Sequence, residues 1–189
     1  MATQGVAEVH DFFECRARSH EAEDLPLWGE VYKQAFGETC KIISHRQDGD
    51  HQRAGIDRSI ILSNSSQLLI DEKIRGRCKK TGKIYTDIAL EYEHKYSNGR
   101  ILPGWVCKPL RCHYIAYAIA PLGKCYLLPV PQLQKAWADN KEMWKKSYPS
   151  IVAFNRGYTS HSVGVPVDIL FKAIGKALRL GFTPMEIEE

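Results

Sequence analysis

No stretch of this chain approaches the about 18 consecutive apolar residues that a membrane-spanning helix needs, so no membrane partner is expected. The N-terminus, Met1-Ala-Thr-Gln-Gly-Val, lacks a charged segment followed by an apolar run, and no secretory signal is expected. The six cysteines, at 15, 40, 78, 107, 112 and 125, contain no CxxC pair and no tight framework. That excludes a disulfide scaffold and points to a reducing, cytoplasmic setting. Cys107, Cys112, His113 and Cys125 have a spacing that fits no usual structural zinc site. Histidines 45, 51, 94, 113 and 161 are scattered, and neither a Ser/His/Asp order nor a P-loop glycine pattern occurs. Charge of one sign is also scarce. The formal charge of +4 is mild and does not by itself imply nucleic acid, so where the charges sit matters more than their sum. There is no internal repeat and no low-complexity segment.

What remains is an ordinary globular composition: 189 residues, 44% apolar and 25% charged. One domain spanning 1–189 is the default, with a core large enough to need no staples. Residues 9–37 read as helical. Val9, Phe12, Phe13 and Ala17 give a short stripe, Pro26 breaks it, and Trp28, Val31, Tyr32 and Phe36 form a second stripe that stops at Gly37. Strand signals follow at Cys40–His45, Ile56–Leu62, Gln67–Ile74 and Tyr85–His94, and then at Cys112–Ala120 and Lys124–Val130 around Pro121-Leu-Gly123. Arg46–Arg53 reads as a loop, while Ser63-Asn-Ser-Ser66 and Ser97-Asn-Gly99 read as turns. Helices are expected at Pro131–Met143 and from Pro166 onward. In the last helix, Val167, Leu170, Phe171, Ile174 and Leu178 share one face, and Lys172, Lys176 and Arg179 fall on the other. Trp105, Tyr114 and Tyr117 read as packing residues. The order predicts an α/β (α+β) fold with a central mixed sheet flanked by helices.

Two aspartates stand out. Asp57 precedes Ile60-Ile-Leu62, and Asp71 ends Leu68-Leu-Ile70. Aspartate is depleted in strands, and a charge beside such apolar runs needs a partner, a metal or solvent. Asp71 and Lys73, two apart on a strand, share a face. Phosphodiester hydrolysis uses such a set. Two carboxylates from neighbouring strands can hold a hard cation such as Mg²⁺, and a lysine beside them can orient or deprotonate the attacking water and screen transition-state charge. Glu91, in Leu90-Glu-Tyr-Glu-His-Lys95, is a further candidate ligand. Glu93-His-Lys95 is a competing acid-x-lysine match, and Glu30 on the first helix is a lesser candidate.

Gly55-Ile-Asp57 followed by Asp71-Glu-Lys73 resembles the PD-(D/E)xK nuclease superfamily, which includes many restriction enzymes and archaeal Holliday-junction resolvases. No proline precedes Asp57, a departure that this superfamily often shows. The resemblance implies a restriction-endonuclease-like fold and hydrolysis of DNA with Mg²⁺ or Mn²⁺. It makes Asp57 and Asp71 metal ligands, Lys73 the residue beside the attacking water and Glu91 an auxiliary acid. On family analogy alone it also implies a homodimer. The rival reading on the same fold is a non-cutting DNA- or protein-binding module, in which Lys73 serves a structural salt bridge. The site makes one geometric demand. If Leu62 pairs with Gln67, Asp71 points away from Asp57, whereas a loop one residue longer or shorter, or a bulge, brings the two together.

Lys73 to Lys83 holds six basic residues and no acid. Arg75, Arg77, Lys79, Lys80 and Lys83 are candidates for tracking a phosphate backbone. Arg156, in the polar segment Asn155–Ser162, is a candidate of the same kind, although that segment reads first as an ordinary connection.

Overall fold

The computed structural model describes residues 9–10, 25–78 and 81–177. The elements in chain order are β1 (Val9–His10), α1 (Leu27–Phe36), β2 (Lys41–Ser44), α2 (Gly49–Arg53), β3 (Arg58–Ile61), β4 (Gln67–Arg75), β5 (Asp87–Tyr96) and β6 (Ile101–Pro103). They continue with β7 (Tyr114–Ile119), a 3₁₀ turn (Ala120–Leu122), β8 (Lys124–Pro129), α3 (Val130–Ser147), β9 (Ser150–Asn155), β10 (Tyr158–Pro166) and α4 (Val167–Ala177). The expected mixed sheet is present, with strand order β2-β3-β4-β7-β8, antiparallel except for the parallel pair β4 and β7. A second five-stranded sheet, β1-β9-β10-β5-β6, was not foreseen.

The helix α1 forms because Trp28, Tyr32 and Phe36 recur every four residues. Their rings stack at 6.2 and 6.4 Å, and Gly37 ends the helix at φ 96°. This face covers one side of the first sheet, where Trp28 and Tyr32 pack on Ile60, Ile70, Ala116 and Ala118. The other side of that sheet meets the larger core. Ile115, Tyr117, Ile119 and Leu128 pack there with Ile88, Leu90, Val163 and Val165 of the second sheet and with Leu133, Trp137 and Leu170 of the helices. Strand β7 is buried on both faces, which is why Ile-Ala-Tyr-Ala-Ile is a continuous apolar run. Its alanines lie under α1, and its large residues point the other way.

The two sheets meet at β4 and β5. Strand β6 pairs with Glu93–Lys95, and among the described residues the lower part of β5 has no strand neighbour on that side. Side chains of the first sheet close it: Arg75 Nη1 donates to the Asp87 carbonyl at 3.1 Å, and the Ala89 N–H donates to Tyr117 Oη at 3.1 Å. An unpaired backbone group buried here would cost about 1–3 kcal/mol, so these contacts fasten the sheets where the site lies.

Several expectations are corrected. Val9–His10 is a strand parallel to Phe154–Asn155 rather than the start of a helix. Residues 49–53 form a short helix, because Asp48 caps it by accepting from the N–H groups of Asp50 and His51. Asn155–Ser162 is a hairpin and not an open connection: Arg156 and Gly157 turn the chain, with Gly157 at φ 88°, and β10 continues from Tyr158. Phe171 points outward, while Leu170 and Ile174 are buried. Phe12, Phe13, Ala17, Leu178 and Arg179 lie outside the described residues.

Candidate functional site

The hairpin of β3 and β4 sets the register. Ile61 pairs with Gln67 and Arg58 with Ile70, so the loop is Leu62–Ser66 and Asp57, one residue before Arg58, falls beside Asp71. The loop closes through the Leu62 N–H to the Ser66 carbonyl at 2.9 Å, with Ser65 at φ 65°. This is the longer of the two loops weighed from the sequence. It is the arrangement that lets the aspartates meet.

Strand alternation then divides Asp71-Glu-Lys73. Glu72 turns toward α1, where its carboxylate accepts from Tyr32 Oη at 2.6 Å and Arg58 Nε at 2.7 Å. Burial, and then the Glu72 charge, push the Tyr32 phenol well above its ordinary range, so it stays a donor. Asp71 and Lys73 face the junction between the sheets. Lys73 Nζ donates to Asp71 Oδ1 at 2.6 Å. Asp57 accepts from the Glu72 N–H at 2.6 Å and from Gln52 Nε2 at 3.4 Å, and it lies near enough to Asp71 for the two carboxyls to act on each other.

The electrostatics follow from this crowding. Burial first, and then repulsion from Asp71, raise the Asp57 carboxyl to about 7, although Lys73 opposes the shift. Burial alone would pull the Lys73 ammonium down, but Asp71 and Asp57 outweigh it and hold it above its ordinary value. Lys73 is therefore a cation here, suited to orienting and charge screening rather than to taking a proton. Cys112 lies close to Asp71. Burial, and then that carboxylate, push its thiol up to about 12, so it is neutral.

Glu91 is the third acid acting on Lys73, after Asp71 and Asp57. It is not part of one ligand cluster with them. Among the described residues, the one group of three metal-ligand side chains whose atoms all lie within 4.8 Å of one another is His45, Asp48 and His51. In that group the imidazole planes are parallel, 3° apart with centroids at 3.9 Å, so their in-plane lone pairs run side by side instead of converging. Asp48 already holds His51 Nδ1 at 2.7 Å and caps α2, and His45 Nε2 lies 2.7 Å from Ser59 Oγ. The cluster reads as a brace for the segment leading to Asp57, whose carbonyl accepts from the His45 N–H at 2.9 Å.

Glu93 and Lys95 pair with each other at 3.1 Å on the opposite face of β5 and bring no second carboxylate. Glu30 is exposed, half a turn away from the buried Trp28 and Tyr32. Of the basic candidates, Arg75 is engaged by Asp87 and lies 3.7 Å over the Tyr85 ring, so it belongs to the junction and not to a phosphate surface. Arg77 and Lys83 are exposed, Arg156 sits in the exposed turn before β10, and Lys79 and Lys80 lie outside the described residues. His113 Nδ1 accepts from the Leu69 N–H at 2.8 Å, a structural role.

Sequence reasoning missed Gln52 and Cys112 at this site, and it named Gly55 without giving it a role. Gly55, at φ 69°, presents a bare face about 4 Å from Asp71 Oδ2. The glycine itself was the available signal. The chain matches no known protein family, no curated protein and no solved structure.

Proposed function

We propose that this protein is a divalent-cation-dependent nuclease that hydrolyses phosphodiester bonds in DNA with the acid-pair-plus-lysine chemistry of the PD-(D/E)xK type. The observation that carries the reading is the meeting of Asp57 and Asp71 in one half-buried corner, with Lys73 ion-paired to Asp71 at 2.6 Å. The donor set fits a hard cation. Two carboxylates crowd together at a cost that a positive charge relieves, and all the donor atoms are oxygens. Asp57 and Asp71 would hold Mg²⁺ or Mn²⁺, which when bound polarises a phosphate oxygen and acidifies water. Lys73 supplies a fixed positive charge at the transferred phosphoryl group. Gln52 and the Glu72 N–H fix the Asp57 carboxylate, and exposed Arg77 and Lys83 contribute to backbone affinity. We place the protein in the cytoplasm, where the five described cysteines stay as thiols. A homodimer remains part of the reading by analogy with enzymes that cut two strands. No helix among the described residues is long and apolar enough to cross a membrane.

One observation suits the non-cutting module as well: Lys73 and Asp71 form a close ion pair at 2.6 Å, the structural salt bridge that such a module would keep. Incubation of wild-type protein and Asp71→Ala with plasmid, linear and branched DNA and Mg²⁺ or Mn²⁺ separates the two. Cleavage by the wild type and its loss in Asp71→Ala is the expected result. Cleavage that survives Asp71→Ala rejects the mechanism, and DNA binding without cleavage of any substrate favours the module.

A further inference from the structure

Beside the acid corner lies a cavity of about 390 Å³. Residues 110–114 form one side of it, and the start of β4, the end of β8 and the first turn of α3 form the rest. Leu68, Leu110, Tyr114, Pro129 and Pro131 give it walls of carbon, while His113 and Gln132 bring polar groups. Pockets that take small ligands have this make-up, mostly apolar with a few placed polar groups.

Hydrogen bonds set these walls in advance. The His113 N–H donates to the Leu69 carbonyl at 2.7 Å, and the Val130 N–H donates to the His113 carbonyl at 3.0 Å. Gln134 Nε2 donates to the Lys108 carbonyl at 2.8 Å. The segment before β7 is thus tied to β4 on one side and to α3 on the other. The His113 ring is fixed as well, because its Nδ1 accepts from the Leu69 N–H at 2.8 Å. A ring nitrogen that accepts carries no proton, so the proton sits on Nε2. The exposed imidazole therefore presents a donor in a set direction.

The cavity adjoins the candidate site. A Cβ at Gly55 would stand 3.9 Å from Leu110 Cδ2 and 4.0 Å from Asp71 Oδ2, so the cavity wall and the acid flank the same glycine. Lys108 and Arg111 are exposed in the same segment. No Asp or Glu occurs between Glu93 and Asp139, so nothing in that stretch offsets their charge. A polyanion carrying flat rings matches this combination. Its phosphates meet Lys108 and Arg111, and one ring enters the carbon walls against Tyr114. An acidic peptide would supply the charge but no planar group with a hydrogen-bonding edge for His113 and Gln132.

We propose that this cavity is a subsite for an unpaired nucleobase of the DNA strand whose phosphate lies at Asp57 and Asp71. Tyr114 is its stacking face, and His113 Nε2 and the Gln132 amide meet its hydrogen-bonding edge. The proposal rests on the nuclease reading for the position of that phosphate, and it narrows the substrate. The strand is single, frayed or branched at this point, because a base inside a duplex is out of reach.

The test locates a base without requiring cleavage. A single-stranded oligonucleotide with 5-iodouracil in place of thymine is bound to the full-length protein in Ca²⁺ and irradiated, and the adducts are mapped by peptide mass spectrometry. Fluorescence anisotropy of the same oligonucleotide gives the affinity. The wild type should form its main adduct on His113 or Tyr114. Gln132→Trp should block the rim and lower both that adduct and the affinity about tenfold, the size of one lost base stack. His113→Asn, whose side-chain oxygen can still accept from the Leu69 N–H, should lower the affinity about fivefold, the size of one lost hydrogen bond, at unchanged thermal stability. If Gln132→Trp does not fold, His113→Asn decides. Bound oligonucleotide with no adduct on residues 110–114 overturns the proposal. So does an adduct that both variants leave unchanged, and so does failure to bind the oligonucleotide, which would leave the cavity to a partner other than DNA. Cleavage of plasmid or linear DNA with adducts only elsewhere rejects the subsite and keeps the nuclease reading. The expected adduct without cleavage of any substrate keeps the subsite and rejects the nuclease reading.

Discussion

Asp57 and Asp71 share one corner of the hairpin of β3 and β4, and burial together with the Asp71 charge raises the first to about 7. An acid whose folded value lies above its unfolded one destabilises the fold as pH rises. Below about 4 both states carry the proton and nothing is lost; between about 4 and 7 the folded state must hold a proton or pay for the charge; above 7 the penalty is complete. Its ceiling is about 4 kcal/mol. Urea unfolding should therefore show stability falling from pH 5 to pH 8. Asp57→Asn should flatten this slope, and Mg²⁺ should restore stability at pH 8 in the wild type alone. A slope unchanged in Asp57→Asn would contradict the pairing.

Lys73 carries positive charge and touches Asp71. Lys73→Met should lower kcat by about 10²–10³, the size of losing one electrostatic contact to a transition state, and should change KM for DNA little. Single-turnover kinetics check this. A loss confined to KM would make Lys73 a binding residue.

Glu72, between the two site residues in sequence, faces α1 and not the site. Tyr32→Phe should cost about 1–3 kcal/mol by leaving a buried carboxylate short of a donor. Its Mn²⁺ affinity, read by electron paramagnetic resonance, should equal that of wild type. A change in Mn²⁺ affinity at constant stability would place Glu72 in the site.

The basic candidates should separate into two kinds. Arg77→Ala and Lys83→Ala should each weaken DNA binding and lower the slope of log K against log salt by about 0.9 if the phosphate is in a duplex. Arg75→Ala should instead lower the unfolding midpoint, because Arg75 is tied to Asp87 and Tyr85. Fluorescence anisotropy across a salt series and thermal unfolding distinguish these outcomes.

The sequence by itself determined the local pieces: the stripe of Trp28, Tyr32 and Phe36, the strands around Ser63–Ser66, and the side-by-side placement of Asp71 and Lys73. Each follows from a period of 3.6 or 2 that any window of residues reveals. The register that joins Asp57 to Asp71 was legible only as a condition, since it turns on one loop residue, Ser65, taking a left-handed conformation. The rest needed tertiary structure. The division of the strands into two sheets, the capture of Arg75 by Asp87 and the bulge at Tyr92 all depend on residues far apart in the chain. Nothing in Leu90-Glu-Tyr-Glu-His-Lys95 tells Glu91 from Glu93. The skipped residue at Tyr92 puts His94 on the face of Glu91 and Glu93 with Lys95, and only the folded chain brings Gly104 against that stretch of backbone.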